Sequence, residues 1–280
     1  MSDTWIFVLK IIGIVVVSYF LGNLNFAEIF ARARHIDIHS AGSGNPGTMN
    51  MLRTCGVGAA VATLICDVLK GAIPAVAGYF VLKTGPSFGI GVEGDPSPFL
   101  GYYVSGIGKL GMIIAGASAV VGHIVPVVNK FRGGKGVATT LGVYIAMDPF
   151  IAVGTFLIGL IYLMIGKYGC VSSFICIVSN TIVETTLAAV YHDNVAVIVL
   201  VIFLGVLVVS VHWPNIIALA KGTERDSNLL RRSKAKKAAA QAEAAQGTQE
   251  GSESSAPTEG ESDGNGENTQ DTKDTNEEEQ

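Results

Sequence analysis

The residues best suited to chemistry lie in 122–142, GHIVPVVNKFRGGKGVATTLG. Within it, FRGGKG at 131–136 presents backbone amides that glycine leaves unshielded, supplies a cation, and ends where an apolar helix would begin. Amides at a helix N-terminus together with a lysine form an anion cradle. This is not a Walker A loop, because Lys135 is followed by Gly136 rather than Ser or Thr and the four-residue spacer is absent. The competing reading is a positive-inside signal with flexible glycines. That reading accounts for the charges but not for His123 or the packed glycines.

Two further polar clusters carry compatible chemistry. In 40–56, SAGSGNPGTMNMLRTCG, glycines 42, 44 and 47 alternate with Ser43, Asn45, Thr48, Asn50 and Arg53. Glycine lets amides approach an anion closely, hydroxyls and amides add short donors, and arginine adds a planar fork. A plain Gly/Asn turn joining two helices is the alternative. In 211–224, VHWPNIIALAKGTE, His212 and Asn215 are three apart and share a face if helical, Pro214 fits a first helical turn, and Glu224 closes the segment. Asp67 and Lys70, in LICDVLKG, would face each other on one helical stripe and support the first loop. Glu184 is a further intramembrane charge, with no partner evident from spacing. The three clusters suit phosphate and contain no acidic group of the kind a metal site needs.

The elements that must position these clusters are membrane spans. Hydrophobic residues make up 49% of the 280, and a mean hydropathy of +0.46 places the chain among membrane proteins. Seven apolar runs are expected to span, at about 5–24, 57–82, 110–128, 136–148, 150–166, 170–190 and 195–212. The fourth and fifth form a hairpin broken at Asp148-Pro149, since proline removes a helix bond and an aspartate is costly at mid-membrane. Arg32, Arg34 and Arg53 follow the first span, Lys130, Arg132 and Lys135 the third, Lys167 the fifth, and Lys221 to Lys237 the seventh. The alternate loops hold only Lys83 and Lys109 beside Glu93, Asp95 and Asp193. The bias places the N-terminus outside and all three clusters in the cytoplasm.

Beyond the spans, 226–240 is a basic juxtamembrane segment, and 241–280 holds 12 acidic residues and one lysine. The rest of the chain therefore carries 18 basic and 11 acidic side chains, so the overall net charge of -4 describes the tail. Lacking large apolar side chains, the tail is expected to be disordered. Cys55, Cys66, Cys170 and Cys176 have no CxxC spacing and read as buried free thiols. The first apolar run lacks a basic n-region and a small-residue cleavage site, and is kept as a span. The fold class is thus all-α: a polytopic membrane protein of seven transmembrane helices with a disordered acidic C-terminal tail.

Residues 15–225 resemble the acyl-phosphate-dependent glycerol-3-phosphate acyltransferases of bacteria, the PlsY family. The resemblance rests on YFLGN, GSGNPGTMNMLR, LxxDxxKG, GHIVPVVNKFRGGKGVAT and HWPNIIALAKGTE, in that order. It implies a seven-helix enzyme of the bacterial inner membrane, with its motifs facing the cytoplasm and no cofactor. The implied reaction moves an acyl chain from acyl phosphate to the primary hydroxyl of glycerol 3-phosphate, giving lysophosphatidic acid and phosphate. Carried over position by position, Ser43, Arg53, Lys135, His212 and Asn215 are the catalytic set lining a phosphate pocket. Gly44, Asn45, Gly47, Thr48, Asn50, Gly133 and Gly134 bind substrate or shape its loops, and Asp67, Lys70, His123 and Glu224 support them. An acyl phosphate is already activated, so positioning and charge neutralisation supply the rate without a covalent nucleophile. Either the substrate phosphate or His212 takes the hydroxyl proton.

The chain departs from the family at Thr48-Met49-Asn50, where Ala-Thr-Asn is usual, and at Ala218, where an arginine is usual. The implied partners are the two substrates and the lipid bilayer, with no nucleic acid; protein partners stay open. None of the five histidines begins the HxxxxD pattern of other glycerolipid acyltransferases. A transporter or flippase of phosphorylated solutes would use the same cradle without chemistry, but matching broken spans in two halves are absent. A low-activity paralogue that binds lipid phosphate as a partner is the remaining alternative.

Overall fold

The computed structural model describes residues 3–83 and 106–224, and these are helical throughout apart from turns. The basic segment 226–240, the acidic tail and the loop bearing Glu93 and Asp95 lie outside the described residues. Among the described residues, ten α-helices follow one another: α1 Asp3–Gly22, α2 Phe26–Arg32, α3 Thr48–Thr54, α4 Val57–Lys83, α5 Gly106–Ile124, α6 Val137–Met147, α7 Pro149–Ile165, α8 Gly169–Val190, α9 Val195–Val211 and α10 Trp213–Ala220. A 3₁₀ turn, Val127–Asn129, follows α5.

Among the described residues, four helical runs are long and apolar enough to cross a membrane: Asp3–Arg32 (α1 with α2), Val57–Lys83, Gly106–Asn129 and Gly169–Val190. A fifth arises if α9 and α10, bent by 54° at their junction, count as one span. The fourth and fifth expected spans appear as shorter apolar helices, α6 of 11 residues and α7 of 17. At 1.5 Å per residue, α6 reaches roughly 16 Å, about half of a hydrocarbon core. The break between them falls at Asp148-Pro149. Asp148 Oδ1 accepts from Ile151 N at 3.3 Å as the N-cap of α7, and Pro149 fills the first turn, where its missing N–H costs nothing.

Helix α5 is the hub. Fourteen of its 19 residues are buried, and it touches α1, α4, α6 and α9. Glycines let these backbones meet. A Cβ on Gly22 of α1 would overlap the Ala119 carbonyl of α5, and one on Gly122 would overlap the Tyr19 carbonyl. The α4–α6 pair repeats the device with Gly71 against Thr139 and Gly142 against Val68, and the α4–α5 pair with Gly78 against Gly111. Without a hydrophobic driving force between helices in lipid, this close van der Waals contact is what holds such a bundle together. The outward faces of α1, α4, α7 and α9 carry exposed Val, Leu, Ile and Phe, the surface expected against acyl chains.

Intramembrane charges are paired. Lys70 Nζ lies 2.7 Å from Asp67 Oδ1 and donates at 2.7 Å to the Leu24 carbonyl, tying α4 to the link between α1 and α2. Two expectations need correction. The spacing offers Glu184 no partner and puts Lys109 in an outer loop. Lys109 is instead buried within α5, 3.5 Å from Glu184 Oε2 and 3.2 Å from Asp193 Oδ2, because α5 begins earlier and ends earlier than the apolar run suggests. All four cysteines are free, but only Cys170 and Cys176 are buried as expected; Cys55, just before α4, and Cys66, within it, are half-buried.

Candidate functional site

The three polar clusters converge at one end of the bundle, opposite the end of α5 where Lys109 meets Glu184 of α8 and Asp193. The first loop owes its shape to Asn50, whose buried amide is spent entirely inside it. Oδ1 accepts from Ser43 N at 2.8 Å, and Nδ2 donates to the carbonyls of Ile38 at 3.2 Å and Ala41 at 3.0 Å. Gly42 and Gly44 sit at φ +61° and +72°, the left-handed region that favours glycine. Asn50 therefore positions this loop. Thr48 opens α3, its Oγ1 buried without a hydrogen bond, and Gly47 caps that helix through its backbone.

The second loop leaves α5 through Pro126 and returns along it. Gly134 N donates to the His123 carbonyl at 3.1 Å. A Cβ on Gly133 would overlap the carbonyls of His123 and Ile124, and one on Gly134 would overlap His123 Nε2 and come within 2.8 Å of the Pro46 carbonyl. These two glycines are thus required for packing: they let the cradle lie on α5 and against the first loop. Gly136, at φ +80°, starts α6 with no side-chain cap, leaving the positive end of that helix beside Lys135.

The third cluster is built by a helix break and a helix end. His212 closes α9 and opens α10, and its carbonyl accepts from Asn215 N at 2.9 Å. Its imidazole is 2% exposed, edge-on to Phe174, with Nδ1 2.8 Å from the Val208 carbonyl. A carbonyl only accepts, so Nδ1 carries the hydrogen and Nε2 of the neutral ring is an acceptor. At the end of α10, Gly222 at φ +68° completes a Schellman turn: Gly222 N donates to Leu219 O at 3.1 Å and Thr223 N to Ala218 O at 2.8 Å. That turn folds Glu224 back onto Asn215, whose Nδ2 donates to Oε1 at 3.0 Å and Oε2 at 3.2 Å. The Asn215 amide is thereby oriented, and its Oδ1 accepts from Lys135 Nζ. Ala218 contributes through its backbone to this turn.

Glu224, Asn215 and Lys135 therefore form one chain of hydrogen bonds linking the second and third clusters. Burial lowers the Lys135 pKa from its ordinary 10.5; Glu224 opposes the shift and the Arg53 charge adds to it. Ser43, Gly44, Asn45 and Gly133 share a second feature, a concavity of about 360 Å³ also lined by His39, Pro46 and Arg132. The structure thus resolves the expected set into two neighbourhoods: Lys135, Asn215, Glu224, His212 and Arg53, and the concavity between the first two loops. His123 lies against Gly134 of the second loop, while Lys70, paired with Asp67, binds the link between α1 and α2.

Three contributors stand outside the expected site residues. Glu28 of α2, 8% exposed, accepts from Asn129 Nδ2 at 2.6 Å and from Arg32, and lies 3.9 Å from His39 Nε2. His39 and Arg132 wall the concavity. Only a charge in the apolar FAEIF segment could have drawn notice to Glu28.

A family model described as glycerol-3-phosphate acyltransferase matches residues 12–222. Among curated relatives, the glycerol-3-phosphate acyltransferase of Thermoanaerobacter sp. (strain X514) is 31% identical over 210 residues, covering 75% of this chain and 91% of the relative. That of Halalkalibacterium halodurans is 34% identical over 212 residues, covering 75% and 92%. Among solved structures, PlsY (YgiH), an integral membrane glycerol 3-phosphate acyltransferase, superposes in its glycerol 3-phosphate form with a TM-score of 0.63 and 31% identity, over 79% of this chain and 97% of that one. Its lysophosphatidic acid form gives 0.59 and 32% identity, over 77% and 94%.

Proposed function

The chain belongs to the glycerol-3-phosphate acyltransferase family, and from that premise we propose that it transfers an acyl group from acyl phosphate to the primary hydroxyl of glycerol 3-phosphate. It is an acyltransferase of phospholipid synthesis. The observation that carries the mechanism is the Glu224–Asn215–Lys135 chain of hydrogen bonds beside a glycine-walled cradle. The glycerol hydroxyl oxygen bonds to the acyl carbon, the acyl C–O bond to phosphate breaks, and its electron pair leaves on phosphate. Lys135 and Arg53 stabilise that developing charge, and the open N-terminus of α6 adds its dipole. The hydroxyl proton passes to the departing phosphate or to His212 Nε2, the acceptor left by the Nδ1–Val208 bond. Ser43, Gly44, Asn45, Gly47, Thr48, Gly133 and Gly134 shape and line the pocket, while Asn50, Asp67, Lys70 and His123 hold its walls.

All seven apolar helices lie in the bilayer in this reading, α6 and α7 as a hairpin, in the bacterial cell membrane with the N-terminus outside and the site cytoplasmic. Arg32, Arg34, Arg53, Lys130, Arg132 and Lys135 on one side support that orientation. The test is a donor comparison. Purified protein with labelled glycerol 3-phosphate should form lysophosphatidic acid and inorganic phosphate in equal amounts from acyl phosphate. Equal turnover with acyl-CoA would overturn the donor assignment.

A further inference from the structure

We propose that the outward face of α10 and the basic run that follows it, 221–237, form a docking surface for anionic lipid headgroups in the leaflet beside the site. This surface is independent of the acyl donor and rests on the proposed function only for the bundle's seat in a bilayer and the side on which the site lies. Helix α10 turns 54° away from the direction of α9. It has two unlike faces. Asn215 is turned inward, toward Lys135 and Glu224. Trp213, Ile217 and Ala220 recur at helical spacing on the opposite face and are all exposed, Trp213 by 62%. A tryptophan and an isoleucine exposed at the end of a span are poorly placed in water. They are well placed at headgroup level, where an indole sets its ring against acyl chains and its N–H toward water.

The exposed positions of α9 lead to this face. Val199, Ile202 and Val206 recur every three or four residues along that helix, and Trp213 follows Val206 by seven residues. Charge then selects the headgroup. The run 221–237, KGTERDSNLLRRSKAKK, holds seven cations and two carboxylates, and one of those, Glu224, is engaged with Asn215. Lys221 is exposed where α10 ends; the other six cations fall in 225–237, outside the described residues. Zwitterionic headgroups offer such a run no net attraction, whereas each cation close to an anionic leaflet favours association by about fivefold. A positive-inside signal alone accounts for the cations but leaves the exposed apolar face of α10 without a role. The acidic segment 241–280 is a rival for the same cations, and its 12 carboxylates are themselves repelled by an anionic leaflet.

Trp213 itself reports on the contact. The chain has two tryptophans, so Trp5→Phe leaves Trp213 as the sole indole. The full chain with that change is placed in nanodiscs of equal parts phosphatidylcholine and phosphatidylglycerol, with one lipid or the other brominated, and quenching of its fluorescence is read. The readout needs no turnover, so it stands apart from the acyltransferase activity. Both labels should quench, and brominated phosphatidylglycerol should quench about twofold more strongly, with the difference lost at about 0.5 M salt. Arg231→Gln, Arg232→Gln, Lys234→Gln, Lys236→Gln and Lys237→Gln together should abolish the difference and leave quenching by brominated phosphatidylcholine as it was. An unaltered melting temperature in detergent shows that this variant folds. Absence of quenching by either label would overturn the seating of α10 on the bilayer. Equal quenching by the two labels in the chain with its basic run intact would overturn the anionic preference, as would a preference that survives the five substitutions. A preference that appears only after truncation at Lys237 would hand the basic run to the acidic segment and overturn the proposal.

Discussion

Lys135 is held as a cation in a place that disfavours charge. Burial lowers its pKa, and Arg53 pushes the same way, while Glu224 partly restores it through its own charge. The free enzyme should therefore lose this cation at a lower pH than an ordinary lysine would. The expected result is an alkaline limb in kcat/KM that begins below pH 10.5 and moves upward in any Lys135→Arg protein that retains turnover. Glu224 acts on Lys135 through Asn215, as a positioning residue. Glu224→Ala should lower kcat/KM by roughly tenfold and Glu224→Gln by less, because a glutamine oxygen still accepts from Asn215. His212→Ala should lower kcat by about 10²-fold if Nε2 takes the proton, with little change in KM for either substrate; a loss under threefold would leave the departing phosphate as the acceptor.

At the scale of elements, glycines decide which helices lie side by side. Gly71→Val would force branched carbons into the Thr139 carbonyl and pry α4 from α6. A drop of several degrees in the melting temperature in detergent is expected, in line with overpacking costs of about 1–3 kcal/mol. Gly58→Ala in the same helix meets nothing within 4 Å and should leave it unchanged. The same elements mark what was legible in the sequence. Apolar runs and the Asp148-Pro149 break locate the helices to within a few residues, because hydrophobic length and a proline act locally. The Gly-rich loops were legible as a cradle because glycine leaves amides open. Lys109 with Glu184, Glu28 with Asn129, and Lys135 with Asn215 were not, because each pair joins helices or loops far apart in sequence. Asn50 shows the complementary limit: its residue type suits a ligand, yet its amide is used up inside its own loop.

Across the whole molecule, one end of the bundle gathers the cradle, the helix break and the charged turn, while α5 carries their supports toward a separate buried charge group at its other end. The family match covers residues 12–222 and leaves the acidic C-terminal segment outside it. Truncation after Lys237 should accordingly leave specific activity unchanged, checked by initial rates of the shortened and full chains in the same detergent. The most direct measurement of the central claim compares wild type with Lys135→Ala, supplied with acyl phosphate and labelled glycerol 3-phosphate. Labelled lysophosphatidic acid should form with wild type and fall by about 10²–10³-fold in the variant. Product formation at the same rate in both proteins would contradict the assignment of Lys135 to the departing phosphate.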